Sequence, residues 1–336
     1  MMNKKLPKVS FVLGIYNAER TLRQCLDGIL MQDYPWNKYE IIIVDGGSSD
    51  DTIKIINEYA GKNRQLRLLH NPAKLSEGRG MSKDIGVKAS TGEIIIFLDH
   101  DNIILHKDWL NLMVSPYQNR GIMATQSFLS YKETDSNFLK YVNATGVEDS
   151  FAIPYSIVSQ AIFNPRNFEL LNDSFYVHKL SPDFVLFGGA NGGSFRKEVF
   201  RKINGYTRDV DVYASMAEYR MKVAVVKGTR LYHATSSSFL DFLMKKGIYF
   251  YRFIKNDYKV KKFQWIPRDF KGKIRFYLRV MHNLSIIGPL FFSIRQFLKT
   301  GRFFWLLHPG YIFFMTLEYG FITLFKIKNF LEYGKK

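Results

Sequence analysis

The run Gly92-Glu93-Ile94-Ile95-Ile96-Phe97-Leu98-Asp99-His100-Asp101-Asn102 constrains the fold of this chain more than any other segment. Its hydrophobes do not alternate with polar residues, and an unbroken apolar run of this length is the pattern of a parallel strand buried on both faces. The run stops at two carboxylates one residue apart. Open α/β sheets bind ligands just beyond the carboxyl ends of their strands. Two acids at that position can hold a hard divalent cation, and such a cation neutralises phosphate oxygens. Asp and Asn are also ordinary turn residues, so the pair carries weight only through the residues that accompany it.

The preceding residues supply that company. Val9 to Tyr16 reads as a strand, and Leu22, Leu26, Ile29 and Leu30 have helical spacing within Glu19 to Met31. Glu40 to Asp45 is a second buried strand, and Ser49-Asp50-Asp51-Thr52 offers caps for a helix running to Tyr59. Leu66 to His70 is a third strand, Glu77 to Ala89 a loop and helix, and the strand ending at Asp99 a fourth. Strands alternating with helices imply a parallel sheet with crossover connections. Residues 103–187 mix aromatic and polar residues with little periodicity, apart from a helix around Trp109 to Tyr117. A glycine-rich turn follows at Gly188 to Arg196, then a helix over 213–221 and two short strand-like runs within Lys222 to His233.

Charge divides the chain near residue 235. Residues 1–235 carry 29 Lys and Arg against 25 Asp and Glu, whereas residues 236–336 carry 19 against 5. Most of the net charge of +18 therefore belongs to the last hundred residues. The same region holds two apolar segments, Leu284 to Phe297 and Phe303 to Phe325. The first is interrupted by Pro289 and Arg295, the second by His308, Pro309 and Glu318. Spanning a bilayer takes about 20 mostly apolar residues, so interfacial or re-entrant helices are expected, with one tilted span at 310–327 as the alternative. Basic residues beside large apolar runs suit an anionic membrane surface rather than nucleic acid. A single cysteine, Cys25, leaves no internal disulfide, and the basic N-terminus runs into a strand without an apolar signal core.

Four strand-end or loop elements converge if the sheet is parallel: Tyr16-Asn17, Asp45-Gly46-Gly47-Ser48, Asp99-His100-Asp101, and the loop-to-helix junction Gly78 to Asp84. An Asp at a strand end can accept from a base or ribose hydroxyl, and Lys83 at a helix start can meet a diphosphate. The G-x-G-x-x-G of a dinucleotide fold is absent after the first strand, which reads Gly14-Ile15-Tyr16-Asn17-Ala18-Glu19, and no P-loop is present. The chemistry indicated is that of a nucleoside diphosphate with a metal.

With these motifs the chain resembles the family-2 glycosyltransferases of GT-A fold. The likeness rests on Tyr16-Asn17, Val44 to Thr52, Gly78 to Gly86, Gly92 to Asp101, Gly189 to Arg196, Asn204-Gly205-Tyr206, Asp209-Val210-Asp211 and Tyr232-His233, in the family's order over about 230 residues. It implies an α/β, Rossmann-like and mostly parallel sheet over residues 1–235, with a nucleotide-sugar half to about 102 and an acceptor half over 103–235. A basic, aromatic, helical membrane-associated region, 236–336, follows. It also implies an inverting sugar transfer from a UDP- or GDP-sugar to a hydroxyl of a glycan or lipid-linked acceptor, at the cytoplasmic face of a membrane. On this reading Tyr16, Asn17, Glu19, Asp45, Lys83, Asp99 and His100 bind the nucleotide-sugar. Asp99 and Asp101 hold Mn2+ or Mg2+, with His233 as a further ligand, and Ala190, Asn191 and Gly192 face the acceptor. Asp209 or Asp211 is the base; Asp209 is preferred. Three departures stand out: Gly46 replaces a second Asp, Ser82-Lys83-Asp84 replaces Ala-Arg-Asn, and Arg208 stands where Glu is frequent. A polyprenyl-phosphate acceptor, already anionic, needs no base; a catalytically silent nucleotide- or membrane-binding module is the non-enzyme alternative.

Overall fold

The computed structural model describes residues 6–71, 73, 78–146, 151, 157–159, 162–163, 165, 168–171, 173–182, 188, 191–235, 238–257, 262 and 270–325. The chain forms two compact units: Met1–Ser130 with Tyr155–Ala234, and Tyr131–Pro154 with Thr235–Lys336. The segment from Tyr131, which the sequence reading grouped with the residues before 235, thus clusters with the C-terminal helices.

The first unit opens with β1 (Val9–Ile15), α1 (Leu22–Leu30), β2 (Tyr39–Asp45), α2 (Thr52–Ala60), β3 (Leu66–His70), α3 (Ser82–Ala89) and β4 (Ile94–Phe97). Next come β5 (Asn102–Ile104), α4 (Trp109–Val114) and β6 (Ile122–Ser130); α5 (Asn137–Thr145) belongs to the second unit. The first unit then resumes with β7 (Glu169–Leu171), β8 (Phe175–Lys179), β9 (Gly193–Arg196), α6 (Lys197–Lys202), α7 (Asp209–Glu218) and β10 (Lys222–His233). Among the described residues the strands make one mixed sheet in the order β3-β2-β1-β4-β9-β6-β10-β8-β7, with β5 against β10.

The four-strand parallel half follows from the sequence. Every residue of β1, β2 and β4 is buried, as unbroken apolar runs require when helices cover both faces. β1 pairs in parallel with β2 on one side and β4 on the other, and β2 pairs in parallel with β3. The chain therefore reverses its direction of travel across the sheet at β1, the switch point where a ligand crevice opens. Asn17 and Asp99 lie just beyond the ends of those two central strands.

The second half of the sheet departs from the sequence expectation. The two short runs expected within Lys222 to His233 are one strand, whose pairing with β6 shifts register between Val226 and Leu231. Gly228 lies in that interval at φ +77°, and the bulge there disguises one strand as two. The helix expected around Trp109 to Tyr117 ends at Val114 and tightens into a 3₁₀ turn, Ser115–Gln118, carrying Pro116. Proline offers no N–H to continue the helical ladder.

The second unit adds α8 (Phe239–Arg252), α9 (Phe270–Leu284), α10 (Ile287–Thr300) and α11 (His308–Phe325) to α5. Its centre is aromatic: Tyr141 meets Trp305, His308 and Tyr311 at ring separations of 6.2, 5.9 and 5.1 Å, and Phe250 stacks on Tyr319 at 4.0 Å. His308 is buried, Tyr141 Oη and His308 Nδ1 are 2.6 Å apart, and burial holds the imidazole down at about 3, so it is neutral. Among the described residues no helix is long and apolar enough to cross a membrane; the tilted span at 310–327 is not supported, and its last two residues lie outside the described set.

Glu318 lies on α11 with its Oε2 lacking a hydrogen-bond partner among the described residues, and burial raises its carboxyl from 4.5 to about 8. A carboxyl raised in the folded state contributes stability that is complete below pH 4.5 and is lost as pH rises through about 8. Thermal unfolding scans across that window should show the wild-type midpoint falling relative to that of Glu318→Gln. Parallel curves for the two proteins would mean that Glu318 is solvated as an ordinary carboxylate.

Candidate active site

The site assembles around a buried cation. Lys83 is the second residue of α3, and its side chain is only 1% exposed. Its Nζ lies 3.2 Å from Asp99 Oδ1 and 3.6 Å from Asp209 Oδ1. An ammonium group leaves water at such cost that it stays charged in a protein only beside compensating anions. Here Asp99 arrives from the end of β4 and Asp209 from the start of α7. Their side chains remain 36% and 23% exposed, open enough to be reached by a ligand. Burial raises the Asp99 carboxyl, Lys83 opposes that rise, and the charges of Asp209 and Asp101 reinforce it.

Asp209 is positioned rather than merely nearby. Tyr206 Oη donates to Asp209 Oδ1, and the Tyr206 ring stands against Phe97 of β4 at 4.8 Å. The Tyr206 backbone N–H donates to Asp84 Oδ1 at 2.9 Å, while Gly80 N–H donates to Asp84 Oδ2 at 2.8 Å. Gly205 makes this possible: its φ is +93°, and a Cβ there would sit 2.9 Å from Asp84 Oδ1. The loop before α7 is thereby fastened to the start of α3. Asp211, two residues on, is buried in α7 at 5% exposure.

Asp101 is directed elsewhere. Its Oδ2 lies 3.2 Å from His233 Nε2 at the end of β10, and its carbonyl accepts from Ala234 N–H at 2.8 Å. The expected set of Asp99, Asp101 and His233 is therefore divided: Asp101 meets His233, and Asp99 turns to Lys83. No group of three or more His, Cys, Asp or Glu side chains arranged for a metal occurs among the described residues. A carboxylate oxygen is nevertheless a donor that hard divalent ions such as Mn2+ prefer, and an imidazole nitrogen beside it can complete a pair of protein ligands. Ions of the Mg2+ type are commonly held by one or two protein groups together with substrate phosphates and water. The pair fits that pattern.

The loops beyond β1 and β2 are braced against each other. Asn17, at φ +48°, donates its N–H to Ser48 Oγ at 2.9 Å and accepts from Ser49 N–H through Oδ1 at 2.9 Å. Glu19 donates its N–H to Asp50 at 3.2 Å and accepts from Asp51 N–H through Oε2 at 2.9 Å. Asp45, 1% exposed, accepts from Gly47 N–H at 2.7 Å and Ser48 Oγ at 2.5 Å. These three expected nucleotide contacts thus also build the cradle. Tyr16 stands 48% exposed above it, and His100 Nδ1 lies 2.8 Å from Thr21 Oγ1.

On the opposite rim, Asn191 Oδ1 accepts from Asn102 Nδ2 at 2.9 Å, and its carbonyl accepts from Gln126 Nε2 at 2.8 Å. Tyr213 Oη donates to Gln126 Oε1 at 3.0 Å. Gly192, at φ +74°, has no room for a side chain: a Cβ would lie 2.9 Å from Leu231 and 3.0 Å from Ser127. Ala190, expected beside the acceptor, lies outside the described residues. Asp84, Asn102, Gln126 and Tyr206 carry no role in the sequence reading. Tyr206, Asp84 and Asn102 did stand inside segments already recognised, which was the available signal.

Asp and Lys side chains gathered beyond strand ends and at a helix start, at the switch point of the sheet, place the chain among the open α/β folds that bind ligands at that position. Residues 10–179 match the family described as Glycosyl transferase family 2. The chain belongs to that family, and its fold is GT-A. Among curated relatives, glycosyltransferase AglE of Haloferax volcanii is 32% identical over 121 residues, 36% of this chain and 39% of the relative. Glycosyltransferase GlyG of Streptococcus pneumoniae is 31% identical over 134 residues, 40% of this chain and 43% of the relative. The matches thus span about two-fifths of those relatives' lengths. Among solved structures, the mannosyltransferase PcManGT of Pyrobaculum calidifontis, in complex with GDP-Man and Mn2+, aligns with TM-score 0.57 at 13% identity, covering 97% of this chain and 89% of that one. Residues 1–349 of S. aureus TarS with UDP-GlcNAc align with TM-score 0.50 at 13% identity, covering 94% and 92%.

Proposed function

We propose that this chain transfers a sugar, with inversion, from a nucleotide-diphosphate sugar to a hydroxyl of a glycan or lipid-linked acceptor. The observation that carries the reading is Asp209, held at the crevice by Tyr206 and Lys83 and partly open to solvent. A carboxylate so placed can take the proton from an attacking hydroxyl while the leaving diphosphate departs from the opposite face of the sugar. Lys83, set against both Asp209 and Asp99, favours their ionised forms, where two bare carboxylates would share a proton. The cradle of Asn17, Ser48 and Asp45 would receive the base and ribose, and the Asn191–Gly192 rim the acceptor. Asp101 and His233 would hold a divalent ion, which when bound supplies charge neutralisation for the diphosphate.

The GDP-Man and UDP-GlcNAc complexes of the structural neighbours support a nucleotide-sugar donor, and the family supports glycosyl transfer. The test is a panel of UDP- and GDP-sugars with Mn2+ and a membrane lipid extract, read by product mass and by the NMR coupling constant of the new anomeric proton. One donor should give a product heavier by one sugar residue, with the opposite anomeric configuration and no transfer under chelation. If donors bind but none turns over with any extract, the transferase reading fails and a binding module takes its place.

A further inference from the structure

Two helices of the second unit, α9 and α10, are inverted in polarity. α9 exposes Phe270, Ile274, Tyr277, Leu278 and Met281, while its buried residues are Gly272 and Asn283. α10 exposes Ile287, Leu290, Phe291, Ile294 and Leu298, while it buries Pro289, Ser293 and Gln296. At about 100° per residue each exposed set falls on a single stripe. α11 is apolar on both sides instead: it exposes Phe314, Leu317, Phe321 and Leu324 and buries Tyr311, Ile312, Met315 and Tyr319. Inside, polar contacts join the elements: Asn283 Nδ2 donates to Thr316 Oγ1 at 3.1 Å, and Ser293 Oγ donates to the Trp305 carbonyl at 2.7 Å.

A helix folding in water buries its leucines and phenylalanines and exposes its polar residues. The reverse arrangement, with small and hydrogen-bonding residues inside and large apolar ones outside, suits a surrounding of hydrocarbon. Charge points to the same partner. On α9, helical geometry places Lys271 and Arg275 on one flank of the apolar stripe and Lys273 on the other. Arg295 and Lys299 lie along one flank of α10. An apolar stripe edged by cations is the pattern of a helix lying in a membrane interface. Length excludes crossing: α9 and α10 have 15 and 14 residues, rising about 21–23 Å, against a hydrocarbon core of about 30 Å.

We propose that α9 and α10 enter one leaflet of an anionic membrane, apolar stripes in the hydrocarbon and flanking cations among the headgroups. This deepens the membrane context of the proposed transfer but rests on none of its chemistry, so vesicle binding is read without turnover. The test is flotation of the full chain with vesicles of phosphatidylcholine alone or mixed with phosphatidylglycerol. Recovery with mixed vesicles, weakened by salt, is expected. Leu278→Glu/Phe291→Glu alters two outward side chains, and should keep the wild-type circular dichroism and thermal midpoint while partitioning at least about tenfold less. Lys271→Gln/Lys273→Gln/Arg275→Gln should lose the preference for phosphatidylglycerol. Failure of the wild type to float with mixed vesicles overturns the proposal, as does unchanged flotation of the Glu variant. A chain that ignores vesicles yet sediments as a dimer that the Glu variant splits would make these stripes a protein interface instead.

Discussion

Asp209→Asn should lower kcat by about 10²- to 10⁴-fold, equivalent to about 3–5 kcal/mol of barrier, with the donor KM changed little. The asparagine keeps the shape of the side chain and can still accept from Tyr206, so the fold is preserved while the proton acceptor is lost. Asp211→Asn should behave differently, because Asp211 is buried in α7; its cost should appear in the thermal midpoint more than in kcat. The rate–pH profile adds a second readout. Wild-type kcat should fall as pH drops through the titration of the base, and Asp209→Asn should lose that limb. If instead Asp211→Asn abolishes turnover and Asp209→Asn does not, the two roles are exchanged. If transfer to a lipid phosphate survives both substitutions, the acceptor is the anionic phosphate and no base is involved.

What was legible in the sequence was the half of the sheet that obeys simple burial. β1, β2 and β4 are covered on both faces, so their apolar runs are unbroken and their ends mark the crevice. β6 was hidden because its centre, Thr125-Gln126-Ser127, is polar and yet fully buried. Each of the three finds an internal partner: Thr125 Oγ1 lies 2.6 Å from Ser194 Oγ, Gln126 accepts from Tyr213 at 3.0 Å, and Ser127 Oγ accepts from Trp109 Nε1 at 3.0 Å. Hydrogen bonds to residues tens of positions away replace the hydrophobic pattern there, and no local periodicity records them. The C-terminal helices posed a different difficulty. Their apolar spacing is plainly helical, but a stripe does not say which way it faces, and the burial of Asn283, Ser293 and Gln296 on the other side of α9 and α10 is a tertiary fact that no spacing records.

Lys83 shows the same limit at the site itself, and its substitution has the other large expected effect. In the sequence it is a cation at a helix start, placed to touch a diphosphate. In the fold it is buried beneath Asp99 and Asp209, which come from 16 and 126 residues further along. Lys83→Met removes the charge and keeps much of the volume. The two carboxylates then face each other without a cation, and both should resist ionisation more strongly. Stripping one partner from a fully buried ion pair costs about 3–5 kcal/mol, and the partial exposure of both carboxylates should keep the loss below that range. Activity should fall at least about tenfold at neutral pH and recover in part as pH rises, because a base with a raised pKa is ionised only at higher pH. A direct diphosphate contact predicts another outcome: a higher donor KM with an unmoved pH profile. The shift of the profile, measured as kcat against pH for wild type and Lys83→Met, therefore decides whether this lysine serves the donor or holds the base.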